Sequence, residues 1–146
     1  MRFDIRTHAY PGEPRHPLDL GEVVIHDVET GRESGPLPPH RHYMAFIEIT
    51  VLHDLILMAL RGEGPDRYTV SSGEELVLDS AAGMATFRFE GLTATMALLS
   101  ALLALRAAIE RGLAMLADYE DQDHSAIQSL RIAVDDGRAQ IGEGGP

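Results

Sequence analysis

The chain reads as a single α+β domain: an antiparallel sheet of about five strands with two to three helices on one face, in the order ββαβββα followed by a short helix or hairpin. Three observations predict this class. Apolar and polar residues alternate near the amino terminus and again over residues 68–90, long apolar runs begin near residues 43 and 93, and Gly- and Pro-rich stretches separate them. At 146 residues with 45% hydrophobic content, the chain is long enough to bury roughly two-thirds of the surface that its unfolded form exposes. The domain is expected over residues 1–140, with 141–146 a flexible tail.

Residues 2–7 alternate strictly, with Phe3, Ile5 and Thr7 on one face and Arg2, Asp4 and Arg6 on the other, the pattern of a half-buried strand. Residues 11–17, Pro-Gly-Glu-Pro-Arg-His-Pro, fix too many φ angles and lack too many N–H donors for a sheet centre, so they form a loop. Residues 22–29 are rich in β-branched side chains and read as a second strand ended by Thr30-Gly31, with His26 on the face of Val24 and Val28 as a core or edge histidine. A second Gly- and Pro-rich loop, 31–39, leads to His40. Over 43–61 a helix leaves a single narrow polar stripe of Tyr43, Thr50, Asp54 and Arg61, and Gly62 stops it. The rival is a strand over 45–52, favoured by Ile47, Ile49, Thr50 and Val51. Three short strands follow at 68–71, 75–79 and 84–90, then a helix capped by Thr93 or Thr95 and running to about Tyr119, with a broad apolar face rich in alanine. That face packs on the core or forms a homodimer seam. Ser125-Ala126-Ile127-Gln128 matches a capping box for a last helix to about Val134, and Asp135-Asp136-Gly137 fits a hairpin nearly as well.

Charge and composition narrow the function. The 23 acidic residues outnumber the 12 basic ones, all of them arginine, for a net charge of -11. Such a surface repels phosphate backbones and favours a cationic protein partner, so no nucleic acid is expected. With no cysteine, disulfides, thiolate metal sites and cysteine nucleophiles are excluded. The first residues alternate charged with apolar and lack a signal-peptide core, and the longest uncharged run, 91–105, is too short to cross a bilayer, so a cytoplasmic protein without a membrane segment is expected. There is no Gly-x-Ser-x-Gly elbow, no phosphate loop with lysine and no His-Glu-x-x-His helix. The acidic turn of Asp118, Glu120, Asp121 and Asp123 lacks the glycine and twelfth-position glutamate of a calcium loop.

The densest group of ligand-type side chains is 39–48, Pro-His-Arg-His-Tyr-Met-Ala-Phe-Ile-Glu. On an extended backbone His40 and His42 point the same way and can chelate one divalent metal, with Glu48, His16 or His53 completing the site. The text resembles the cupin metal motif, in which a glycine precedes a His-x-His pair and a glutamate follows. That resemblance implies Gly35 as the glycine and His40, His42 and Glu48 as ligands. The gaps differ by a residue or so, the second cupin motif is missing, and the helices leave too few strands for a jelly roll. If 43–61 is helical throughout, Glu48 instead projects between Leu55 and Ala59, a carboxylate on an apolar face that needs an arginine such as Arg88 or Arg106, or exposure at an edge. His53 then lies about 140° from Glu48 and cannot easily share a ligand with it.

The element order, small size and acidity resemble those of small bacterial α+β immunity proteins of polymorphic toxin systems, over about residues 2–119. The resemblance is one of architecture and implies a non-catalytic acidic binding protein that occludes a cationic partner, with no cofactor. The alternative is a metal-binding protein or metal-dependent enzyme using His40, His42 and Glu48.

Overall fold

In the computed structural model, which describes residues 1–8 and 13–142, β1 (Arg2–Thr7) pairs antiparallel with β2 (Leu20–His26), from Arg2 opposite His26 to Thr7 opposite Gly21. The register puts Phe3, Ile5, Val23 and Ile25 on the inner face, and Asp4, Arg6, Glu22, Val24 and His26 on the outer one. Gly21 is needed here because a Cβ would overlap the carbonyl oxygen of Arg6 on the neighbouring strand. β2 ends three residues before the expected Glu29, because Asp27 starts a tight turn: its carbonyl accepts from Gly31 N–H (2.8 Å) and its Oδ1 from Glu29 N–H (3.0 Å). The two-residue β3 (Tyr43–Met44) completes this sheet on the other side of β2.

The chain then enters α1 (Ala45–Leu60), so the run is helical as expected but from Ala45 rather than Tyr43, and all of the rival strand's residues, 45–52, lie in the helix. The helix is buried nearly all round, with Phe46, Ile49, Leu52, His53 and Ile56 fully inaccessible. A four-stranded antiparallel meander follows: β4 (Arg67–Thr69), β5 (Glu75–Asp79), β6 (Met84–Phe89) and β7 (Leu92–Ala97). α2 (Leu98–Met115) and α3 (Ser125–Gln140) close the fold.

The α+β class with antiparallel sheets therefore holds, while the single sheet of about five strands is corrected to two, of three and four strands. The extra strands are β3 and β7, and in β7 Leu92 and Ala94 turn inward and Thr93 and Thr95 outward. Either threonine suits a helix cap, yet a β-branched residue at every second position serves a strand equally well. α2 accordingly starts at Leu98 with no side-chain cap. The last segment is helix rather than hairpin and runs six residues beyond Val134, through Asp135-Asp136-Gly137. Its cap is His124, whose Nδ1 accepts from Ala126 N–H at 3.1 Å, instead of the expected Ser125 box.

α1 and α2 pack against both sheets, and α3 packs on α1 and α2. Phe3 of β1 meets Phe87 of β6 edge to face, with ring centroids 4.9 Å apart, and so joins the two sheets through one core. Among the described residues no helix is long and apolar enough to cross a membrane. Parts of two expected segments, 11–12 of the first Pro-rich stretch and 143–146 of the tail, lie outside the described residues.

Candidate functional site

The Pro38-Pro39 pair feeds a single 3-10 turn, Pro39–Arg41, and this turn separates the two histidines of the sequence motif. His40 is left exposed. His42, after the turn, folds back over the outer face of the three-stranded sheet, its side chain only 9% exposed. Its Nε2–H donates to the carbonyl oxygen of Leu37 (2.9 Å), and its Nδ1 shares a hydrogen bond of 2.9 Å with His8 Nε2, whose direction follows the tautomer. With His8 Nε2–H as the donor, the Nδ1 of His8 keeps its lone pair.

Beneath His42 lies Glu22, 5% exposed and opposite Arg6 on β1. Its Oε2 accepts from Leu37 N–H at 2.7 Å and lies 3.5 Å from His42 Nε2. Gly35 lies against Oε1 with φ +76°, so a side chain there would overlap the carboxylate and be strained as well. Glu22, His42, His8, Arg6 and the apolar Pro36, Leu37 and Pro39 line a cavity of about 250 Å³. The Arg6 charge at its rim is already matched, since its guanidinium donates twice to Glu33 (3.0 and 2.7 Å). That bidentate bond, and the Arg6 charge with it, holds the Glu33 carboxyl below the usual carboxylate range, and it raises Arg6 in turn. His26 sits between Asp4 (2.8 Å) and Glu33 (3.0 Å), an edge histidine with both ring nitrogens engaged.

The same loop ties the two sheets together. Gly35 N–H donates to Glu90 O (2.7 Å), Arg32 to Gly91 O (3.1 Å) and Arg41 Nε to Ser72 O (2.9 Å). A second buried acid, Glu74, accepts from Glu90 N–H at 2.7 Å and from the Ser72 hydroxyl at 3.2 Å. Burial raises its pKa, the nearby Glu22 adds to the shift, and these hydrogen bonds and Arg41 only partly offset it. Between the acids, the Tyr43 hydroxyl accepts from Val23 N–H (2.8 Å); burial pushes its pKa up, and Glu74, Glu48 and Glu22 act in the same direction.

Glu48 is on the first turn of α1, half-buried, and its partner is neither Arg88 nor Arg106: the Tyr68 hydroxyl donates to its Oε1 at 2.5 Å. Burial first, then the bond to Glu48 and its charge, raise Tyr68. His40, His42 and Glu48 are thus held in three different settings, and no group of three His, Asp or Glu side chains arranged to hold a metal ion is found among the described residues.

Sequence reading missed Arg6, His8, Glu22 and Glu74. For Glu22 one signal was legible: it is the acid of a β-branched run at a position facing Arg6 and Asp4 rather than the core. Its burial comes from residues 33–37 folding over it, and periodicity carries no information about that.

One further surface stands out. Leu18, Leu20, Met44 and Ile47 are 39%, 54%, 45% and 37% exposed. Leu20 and Met44 are register partners on β2 and β3, while Leu18 and Ile47 line one groove of about 290 Å³ with Val51 and Asp54. His8 N–H donates to Leu20 O at 3.1 Å, so this apolar patch adjoins the histidine cavity. The chain matches no protein-family model, no curated protein and no solved structure.

Proposed function

We propose that this chain is a non-catalytic acidic binding protein, immunity-like in that it occludes a cationic protein partner met in the cytoplasm. The observation that carries the reading is the gathering of Leu18, Leu20, Met44 and Ile47 at one end of the three-stranded sheet, on a molecule of net charge -11. Exposed large apolar side chains scattered singly need no explanation, whereas four on one strand pair, the turn before it and the adjoining helix turn supply the apolar centre of an interface. The surrounding negative field, including Asp54 in the groove at 55% exposure, steers a basic partner and rejects acidic ones.

The test is native mass spectrometry of the full chain from its own host, followed by measurement of the isolated complex. A basic protein is expected in defined stoichiometry, with an affinity that falls as ionic strength rises through the range where the screening length drops below about 10 Å. Leu20→Asp with Met44→Asp should weaken that complex by about 100-fold or more, the scale of losing two central contacts. Turnover of a substrate, or a complex indifferent to both salt and this double substitution, overturns the reading.

A further inference from the structure

We propose that the cavity under the 33–42 loop is a socket for one arginine or lysine side chain of the cationic partner, an inference that rests on the binding reading above and names where the partner's charge goes.

The argument starts from Glu22. A carboxylate taken out of water needs a cation or a full set of donors. Among the described residues no arginine lies within ion-pair distance of it; the nearest basic group is His42, at 3.5 Å. Arg6, across the strand, is committed to Glu33 by two bonds. Leu37 N–H occupies one of the carboxylate's about four acceptor positions, and the long contact from His42 takes at most a second. Glu22 therefore retains acceptor capacity at the base of a cavity of about 250 Å³.

The walls suit the rest of such a side chain. Pro36, Leu37 and Pro39 give an apolar lining, which a methylene stem covers while its charged head reaches a carboxylate. His8 stands at the exposed end of the cavity, and its Nδ1 lone pair accepts a second N–H from a guanidinium or ammonium. An anionic ligand finds the opposite: a buried acid ahead of it and an arginine already neutralised. The adjoining patch of Leu20 and Met44 supplies the apolar contact that a protein carries beside its basic residue and a free amine does not.

The experiment follows backbone amide shifts of the full-length protein by 1H–15N correlation spectroscopy during titration with Nα-acetyl-arginine N-methylamide. The neutral citrulline counterpart and spermidine serve as the two comparison arms. Saturable shifts are expected at Glu22, Leu37 and His42, with none from citrulline and at least tenfold weaker binding in Glu22→Gln, which still offers an oxygen to Leu37 N–H. His8→Trp, a change at an exposed position that narrows the mouth, provides a second variant and should weaken binding likewise. The socket is overturned by absence of saturation, by an equal response to citrulline, or by wild-type binding in both variants. Spermidine binding more than tenfold tighter at the same amides overturns it too, in favour of a free polyamine. A protein partner lost on Leu20→Asp but indifferent to Glu22→Gln sinks the socket and leaves the binding reading standing. Probe binding in a protein with no partner does the reverse.

Discussion

On the outward face of β1 and β2, Asp4, Arg6, Glu22 and His26 lie beside or beneath the 32–42 loop, and each is held by a named partner. On the outward face of β6 and β7, Arg88, Thr93 and Thr95 are exposed and Thr86 half-buried, with no loop over them among the described residues, and a hydroxyl pair, Thr86 and Thr95, 3.0 Å apart, links the two strands. Both faces follow the same two-residue alternation. The difference is the cover: it converts an ordinary polar face into a set of desolvated groups that must be satisfied one by one, as Ser34 Oγ does in accepting the buried Ile25 N–H at 2.8 Å. Desolvated, oriented polar groups recognise a ligand strongly, while solvated ones only keep the protein soluble.

The largest expected effect comes from prising up the cover. Gly35→Ala forces a φ of +76° on a residue with a Cβ and drives that atom into Glu22 Oε1. We expect a loss of about 2–4 kcal/mol in urea unfolding, the sum of left-handed backbone cost and overpacking. A loss near zero would mean that the loop lifts off without consequence, and the contrast between the two faces would fail.

A smaller and pH-dependent effect is expected at Glu74, where the loop anchors on the second sheet. Its folded-state pKa is raised, chiefly by burial. The native state therefore binds a proton more readily than the unfolded one, and stability falls as pH rises from the ordinary glutamate range, about 4.3, to the raised value, then levels off. Glu74→Gln removes that slope while keeping an oxygen for Glu90 N–H and an amide for Ser72 Oγ. The variant should match the parent in acid and exceed it in stability at neutral pH, measured by urea midpoints across the range. A parent that is more stable at neutral pH reverses the sign and refutes the account.

What could be read beforehand divides along the same line. The alternation over residues 2–7 placed β1 with its bounds intact, and the long apolar run of 43–61 was right to read as a buried helix, although Tyr43 and Thr50 of its expected polar stripe are buried. The separation into two sheets was not legible, since a two-residue period announces a strand without naming its neighbour. The motif at 40–48 lies on the loop that covers the cavity, but the surroundings of His42 depend on His8, 34 residues upstream of it, and on Glu22, 15 residues before its donor Leu37. Pro and Gly in 31–39 foretold a loop; where that loop lands is decided by Gly35, whose missing side chain lets it settle on a carboxylate.

The smallest effect belongs to the uncovered face, and it is the control that gives the others meaning. Thr95→Val keeps the branched Cβ that suits β7, so strand preference is retained, and it deletes one of two hydroxyls that share a contact with Thr86. Thr95 is exposed, so the Thr86 hydroxyl exchanges its lost partner for water and no polar group is stranded. The expected change is within about 0.5 kcal/mol, as for surface positions away from special features. Were this substitution to cost as much as Gly35→Ala, the hydroxyl pair would be acting as a buried network. The second sheet would then have to be covered in solution, by another copy of the chain or by a partner, and cover would no longer distinguish the two faces.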